Sequence, residues 1–156
     1  VWAAWERTQA VARALRAEVI VFQCPASFRP TRENLANVKS FFMRLSAGEH
    51  LLAWEPRGEW KPDVIGETCQ ELNLVHCVDP FQTQPAYGRP IYLRLHGRGG
   101  YRYSYAGEEL QQLRDMVIRY QAQDRDPIYV MFNNTGMKDD AIRFAAMMGT
   151  RPESSS

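Results

Sequence analysis

Apolar residues in this chain follow two rhythms. Five short, mainly apolar runs, 18–23, 51–54, 74–78, 91–95 and 128–132, are of strand length, the first of them rich in β-branched residues. Between them apolar positions recur every three or four residues, the period of a helix with one buried face. Such helices are expected over 1–15 (Trp2, Trp5, Val11, Leu15), from a Thr31 cap through Leu35, Val38, Phe41, Phe42 and Leu45, and from Pro62 through Leu72. Two more are expected at 108–121 and 138–148. The stretch from Pro80 to Pro90 has three prolines and no helical period, and reads as a loop. Strands alternating with helices in units near 30 residues predict an α/β fold with a parallel sheet and helical crossovers. A doubly wound sheet and a (β/α) barrel both fit. No GxGxxG or GxxxxGK[ST] follows the first strand, which removes the common reason to prefer a nucleotide-binding doubly wound sheet.

Each run stops at a polar cluster, and three stop at a reactive residue followed by proline: Cys24-Pro25, Glu55-Pro56 and Asp79-Pro80. Proline holds the residue before it extended and ends the ladder, so these side chains sit at strand tips. In the fourth run Tyr92, Arg94 and His96 alternate with Ile91, Leu93 and Leu95, which gives one polar face to a strand type that normally buries both. Glu55, Asp79 and His96 are therefore the catalytic candidates, as acid/base groups or as a three-residue ligand set for a divalent metal. Each also has a structural reading: pairing with neighbouring arginines such as Arg57 for the carboxylates, and an internal ion pair for Arg94. His50 opens its strand at the opposite end and His76 lies mid-strand, which favours structural roles. Cys24 reads as a buried thiol rather than a nucleophile.

From Pro80 to Gly107 there is no acidic residue, while Arg89, Arg94, Arg98 and Arg102 are interleaved with Tyr87, Tyr92, Tyr101, Tyr103 and Tyr105 around Gly97, Gly99 and Gly100. Glycine admits close approach of backbone to ligand, arginine grips phosphate or carboxylate, and tyrosine stacks on rings. Asn133-Asn134 lies between the last strand and the last helix, where amides and N–H groups receive anions or simply cap a turn. The expected ligand-binding set is Arg94, Arg98, Arg102, Tyr101, Tyr103, Asn133 and Asn134. The expected ligand is a phosphate-bearing small molecule or nucleic acid, handled by a hydrolase or an isomerase. The competing reading is a non-catalytic module that binds RNA or a ribonucleoprotein.

Composition narrows the setting. The 156 residues carry a net charge of +1, too little for nucleic-acid binding by bulk electrostatics. No apolar run approaches the roughly 20 residues of a membrane span. Cys24, Cys69 and Cys77 lack a CxxC spacing, and free thiols point to a reducing, cytoplasmic compartment. The first residue is Val1, already inside a helical pattern, which points to a lost beginning. The polar, serine-rich residues 151–156 read as a disordered tail after a single domain over 1–150.

The phrases FQCPASFRPTRENLANVKSFF, AWEPRGEW, LVHCVDPF, YLRLHGRGGYRYSY and YVMFNN, in this order from Val19 to Asn134, closely resemble the YecE-like family, domain of unknown function 72. The resemblance implies a TIM-type barrel whose activity is not established. It also implies about three earlier strands, with a Gly-Thr-Ser-Gly-Trp-like and an Asn-Ser-Thr-Phe-Tyr-like motif that do not occur here. The five strands would then be strands four to eight, and the missing ones are expected from the same full-length chain or a partner chain. On that count the Gly- and Arg-rich loop follows strand seven and Asn133-Asn134 follows strand eight, where many TIM barrels bind phosphate.

Overall fold

The computed structural model describes residues 1–45, 48–100 and 102–149. Among the described residues five strands and five helices alternate except between β3 and β4, which a loop joins: α1 (Trp2–Leu15), β1 (Val19–Gln23), α2 (Arg32–Met43), β2 (Leu51–Glu55), α3 (Pro62–Leu72), β3 (Val75–Val78), β4 (Ile91–Leu95), α4 (Gly107–Ala122), β5 (Ile128–Phe132) and α5 (Met137–Met147). Every ladder is parallel and joins strands adjacent in the chain: β1 to β2, β2 to β3, β3 to β4 and β4 to β5. An order that never reverses has no topological switch point of the doubly wound kind, so the barrel-type alternative is the one that fits. The expected tail and Tyr101 lie outside the described residues.

Two compact units divide the chain: Val1–His76 with Ala86–Gly88, and Cys77–Pro85 with the chain from Arg89 onward. In the first, the register Val19↔Leu51 through Gln23↔Glu55 aligns Ile20 and Phe22 with Leu52 and Trp54 on one face. These residues join the core formed with Trp5, Val38, Phe42, Ile65 and Cys69. Aromatic rings supply much of the packing: Phe22 meets Trp5 at 5.6 Å, Phe41 at 5.6 Å and Phe42 at 5.0 Å, and Trp54 meets Trp60 at 5.1 Å. The Thr31 hydroxyl accepts from Asn34 N at 3.1 Å and starts α2, while Pro62 occupies the first turn of α3. Left-handed residues close α1 at Arg16 (φ 51°) and α3 at Asn73 (φ 52°), without the usual glycine.

Strand β4 explains the second unit. Ile91, Leu93 and Leu95 bury against Leu110, Leu113 and Val117 of α4 and Phe144 of α5. The alternate residues Tyr92, Arg94 and His96 point the other way, and the register pairs Tyr92 with Tyr129 (rings 5.6 Å apart) and Arg94 with Met131. On this face Arg94 and His96 are half-buried and Tyr92 is buried. Among the described residues no helix is long and apolar enough to cross a membrane.

The two faces of the β4–β5 ladder should respond differently to truncation. Leu93→Ala removes a side chain with no exposure and is expected to cost about 2–5 kcal/mol. Met131→Ala, 44% exposed on the other face, should cost no more than about 1 kcal/mol. Urea unfolding midpoints of the two variants against wild type check this.

Candidate functional site

Three polar residues meet at the carboxyl ends of β3, β4 and β5 in the second unit. Asp79 follows β3, and its carboxylate is committed to backbone: Oδ1 accepts from Phe81 N at 3.0 Å and Oδ2 from His96 N at 3.2 Å. It therefore ties the turn after β3 to the end of β4. Asn133 N donates to Leu95 O at 2.8 Å, extending the β4–β5 ladder by one rung. Continuing the register places Asn133 opposite His96 on the face of Arg94, and Asn133 Nδ2 lies 3.1 Å from His96 Nδ1. Arg94 is half-buried two residues before His96.

The loop after β4 folds back over this strand end. Gly97 has φ 84°, and a Cβ there would stand 2.4 Å from Gly100 O and 2.6 Å from Tyr103 Cβ, so only glycine fits. Gly97 N donates to the buried Tyr105 hydroxyl oxygen at 2.8 Å. Burial, with the nearby carboxylates of Asp79, Glu109 and Asp140, pushes the Tyr105 phenol upward, although the Gly97 N–H opposes the shift.

Two carboxylates that the sequence pattern did not single out hold the loop in place. Glu109, in the first turn of α4, accepts from the Tyr103 hydroxyl at 2.5 Å, Ala106 N at 2.8 Å and Arg98 at 3.3 Å. Burial alone would raise its pKa, but those three donors outweigh burial and hold it below the usual carboxylate range. Asp140 of α5 has no exposure at all. It accepts from Asn134 Nδ2 at 2.7 Å, Tyr105 N at 3.3 Å, the Ser104 hydroxyl at 3.3 Å and Arg143 at 3.1 Å. Asn134 Nδ2 donates also to Tyr103 O at 2.7 Å, and Arg143 to Tyr105 O at 2.8 Å. Acidic residues in the first turn of a helix were the available signal, but that pattern is satisfied by the helix dipole alone and names no partner.

The expected ligand set thus separates. Arg98 is drawn to Glu109 and stacks 5.4 Å over the Phe81 ring, Tyr103 is bonded to Glu109, and Asn134 is 3% exposed inside the Asp140 network. Arg102 is exposed. Asp79, His96, Asn133 and Arg94 lie at the strand ends, each with bonding partners of its own.

Glu55 belongs to the first unit, where it is 5% exposed at the end of β2 and lies 3.9 Å from Arg57. In the same unit Cys24 Sγ accepts from Trp54 Nε1 at 3.3 Å. Burial pushes its thiol up, Trp54 opposes that and Glu55 adds to it, so the protonated thiol prevails at neutral pH. His76 is buried, and Nδ1 accepts from Ala86 N at 3.0 Å. His50 Nδ1 bonds to Ala17 O at 2.7 Å. Both histidines hold backbone segments, as their positions in the strands predicted. Among the described residues no group of three or more His, Cys, Asp or Glu side chains is arranged to hold a metal ion.

The family model described as "Protein of unknown function DUF72" matches residues 2–155. Among solved structures, a DUF72 family protein from Enterococcus faecalis is similar, with a TM-score of 0.69 and 18% identity. The match covers 95% of this chain and 67% of that one. No curated protein matches.

Two outcomes test the structural roles. Asp140→Ala strips the acceptor from a guanidinium, an amide and a backbone N–H, and should cost about 3–5 kcal/mol in urea unfolding. Burial lowers the His76 pKa to about 4 from 6.5, against an opposing pull from Glu55. The unfolded chain therefore takes up this proton first, and stability falls as the pH drops through that window, by up to about 3 kcal/mol. His76→Gln should flatten the dependence of the unfolding midpoint on pH over the same range.

Proposed function

Since this chain belongs to the DUF72 family, whose model matches residues 2–155, we infer that it is the part of a TIM-type barrel corresponding to strands four to eight, and that it binds a phosphate-bearing ligand. The site lies at the carboxyl ends of β3, β4 and β5 in the second unit. The observation that carries the reading is the placement of His96. Its backbone N–H is held by Asp79 and its ring by Asn133, on a strand face that also bears Arg94. An oriented imidazole beside a guanidinium supplies a directional donor and a fixed positive charge, the pair that a phosphoryl group needs. Loops after the last two strands of such barrels commonly form phosphate sites.

Within this reading the roles differ from the first expectation. His96 and Arg94 are the groups that would exchange present partners for the ligand, Asn133 and Asp79 position His96, and Arg98, Tyr103 and Asn134 keep the loop in shape. His96 is then the acid/base candidate for a hydrolase or isomerase, since the Asp79 carboxylate is occupied by backbone. Strands missing from the barrel would come from the same full-length chain or a partner. The three cysteines are free thiols, which suits a reducing, cytoplasmic setting.

Calorimetric titration with inorganic phosphate, ribose 5-phosphate and a short single-stranded RNA tests the proposal. Arg94→Ala and His96→Ala are each expected to weaken phosphate-bearing probes at least about tenfold, or roughly 1.4 kcal/mol. Arg89→Ala, whose side chain pairs with Asp124, should leave them unchanged. Equal affinities across all variants, or no binding of any probe, would sink the reading. Binding of RNA alone, with a steep salt dependence, would favour a nucleic-acid module instead.

A further inference from the structure

We propose that the loops following β1 and β2 form a binding surface for the phosphodiester backbone of a single-stranded nucleic acid, with Arg29, Arg32 and Lys61 as its contacts. The surface belongs to the first unit alone and does not depend on the ligand site inferred above.

The net charge of +1 conceals an uneven distribution. Segments 24–32 and 56–61 contain Arg29, Arg32, Arg57 and Lys61 but a single acid, Glu59. Glu33 and Asp63 come next, in the first turns of α2 and α3, where the positive helix end favours an acid. Asp63 Oδ1 accepts from Val64 N at 2.9 Å, and Arg57 lies 3.9 Å from the buried Glu55. Arg29, Arg32 and Lys61 are exposed, and among the described residues no ion pair neutralises them. Two arginines of the acid-free segment behave differently, since Arg98 is paired with Glu109 and Arg89 with Asp124.

The two loops are locked together. Cys24 N donates to Glu55 O at 3.0 Å, which carries the β1–β2 ladder one rung past the strands. Gly58 has φ 99°, and a Cβ there would stand 2.8 Å from Ala26 O, so the second loop meets the first at a distance only glycine permits. Trp60 Nε1 donates to Phe28 O at 2.9 Å, and the two rings stack 5.9 Å apart. Arg29 O accepts from Thr31 N at 2.8 Å and from Asn34 Nδ2 at 2.9 Å. Arg29 and Lys61 thus directly follow Phe28 and Trp60, the residues that pin the loops to each other, and Arg32 opens α2 three residues on. Backbone held in this way is ordered before a partner arrives, which lowers the entropic cost of binding.

The chemistry of the face selects the partner. Guanidinium and ammonium groups grip phosphate oxygens, and several of them neutralise several phosphates of one strand. An acidic protein binds through an interface with an apolar centre, and a membrane through apolar side chains inserted beside the cations. The large aromatic rings of these loops are turned on each other instead, with Trp60 only 7% exposed.

Fluorescence anisotropy of a short labelled oligouridylate, titrated with the full chain over a series of NaCl concentrations, tests this. Three phosphate contacts predict a slope of log K against log salt of about −2. Arg29→Gln, Arg32→Gln and Lys61→Gln should each weaken binding at low salt and bring the slope about 0.7 closer to zero, whereas Arg29→Lys should keep it. Arg119→Gln, which removes the same charge from an exposed position on α4, should change neither quantity. All five variants alter exposed side chains and are expected to keep the wild-type urea midpoint. No binding at low salt, a slope that Arg119→Gln changes as much as the loop variants do, or competition by polyglutamate as effective as by unlabelled RNA overturns the assignment. Binding to vesicles of phosphatidylserine and phosphatidylcholine without binding to RNA overturns it in favour of a membrane surface. A loss confined to the loop variants supports it even where inorganic phosphate shows no binding that depends on Arg94 or His96.

Discussion

A carboxylate without contact to water must be surrounded by donors or be lost to protonation, and Asp140 is surrounded by them. Its partners come from the segment after β4 (Ser104, Tyr105), from the turn after β5 (Asn134) and from its own helix (Arg143). One residue therefore welds two loops to α5. Glu109 does the same for Tyr103, Arg98 and the start of α4. With both loops fixed from behind, the strand ends in front of them hold His96 and Asn133 at hydrogen-bonding distance. The order of the site draws on this anchoring from the helix side as well as on the bonds of Asp79 and Asn133 to His96.

The elements were legible because each is specified by local chemistry. The Thr31 cap, the proline at the start of α3 and the switch between twofold and helical periods all act within a few residues, and the ten elements fall where those signals place them. The alternation in β4 also foretold which face packs against α4 and α5. Side-chain partners that belong to different elements were not legible, even 6 to 11 residues away. Arg98 and Tyr103 look like ligand groups in a run without acids, but the acid that engages them arrives from Glu109 of the next helix. Asn134 looks like half of an anion-receiving pair, yet Asp140 and Tyr103 O claim its amide nitrogen. A composition argument counts charges along a segment, whereas pairing is decided by what the fold brings up behind it.

Adjacent residues at the ends of β4 and β5 illustrate the same separation on a smaller scale. Asn133 and Asn134 are neighbours with identical side chains, but alternation along the strand sends one to the His96 face and the other inward. Their chemistry is equal and their roles are not. Asp79 shows the complementary case: a residue at a strand tip that looks catalytic in sequence and spends both oxygens on backbone N–H groups. Reading such a rim requires knowing which lone pairs and protons are already used.

Strand β1 carries a different kind of consequence. Its bonds to β2 run through Glu18 O and Cys24 N, so the N–H and C=O groups of Val19 and Val21 point to the opposite side. Beside them lies an apolar cavity of about 410 Å³ lined by Phe22, Phe28, Val38, Phe41, Phe42 and Trp54. A hydrogen-bonding row next to a greasy slot is a template for any extended chain that offers matching backbone and a hydrophobic side chain. Unless the further barrel strands pair with that edge, it is the place where strands from different molecules would find one another, and a net charge of +1 offers little long-range repulsion to oppose it.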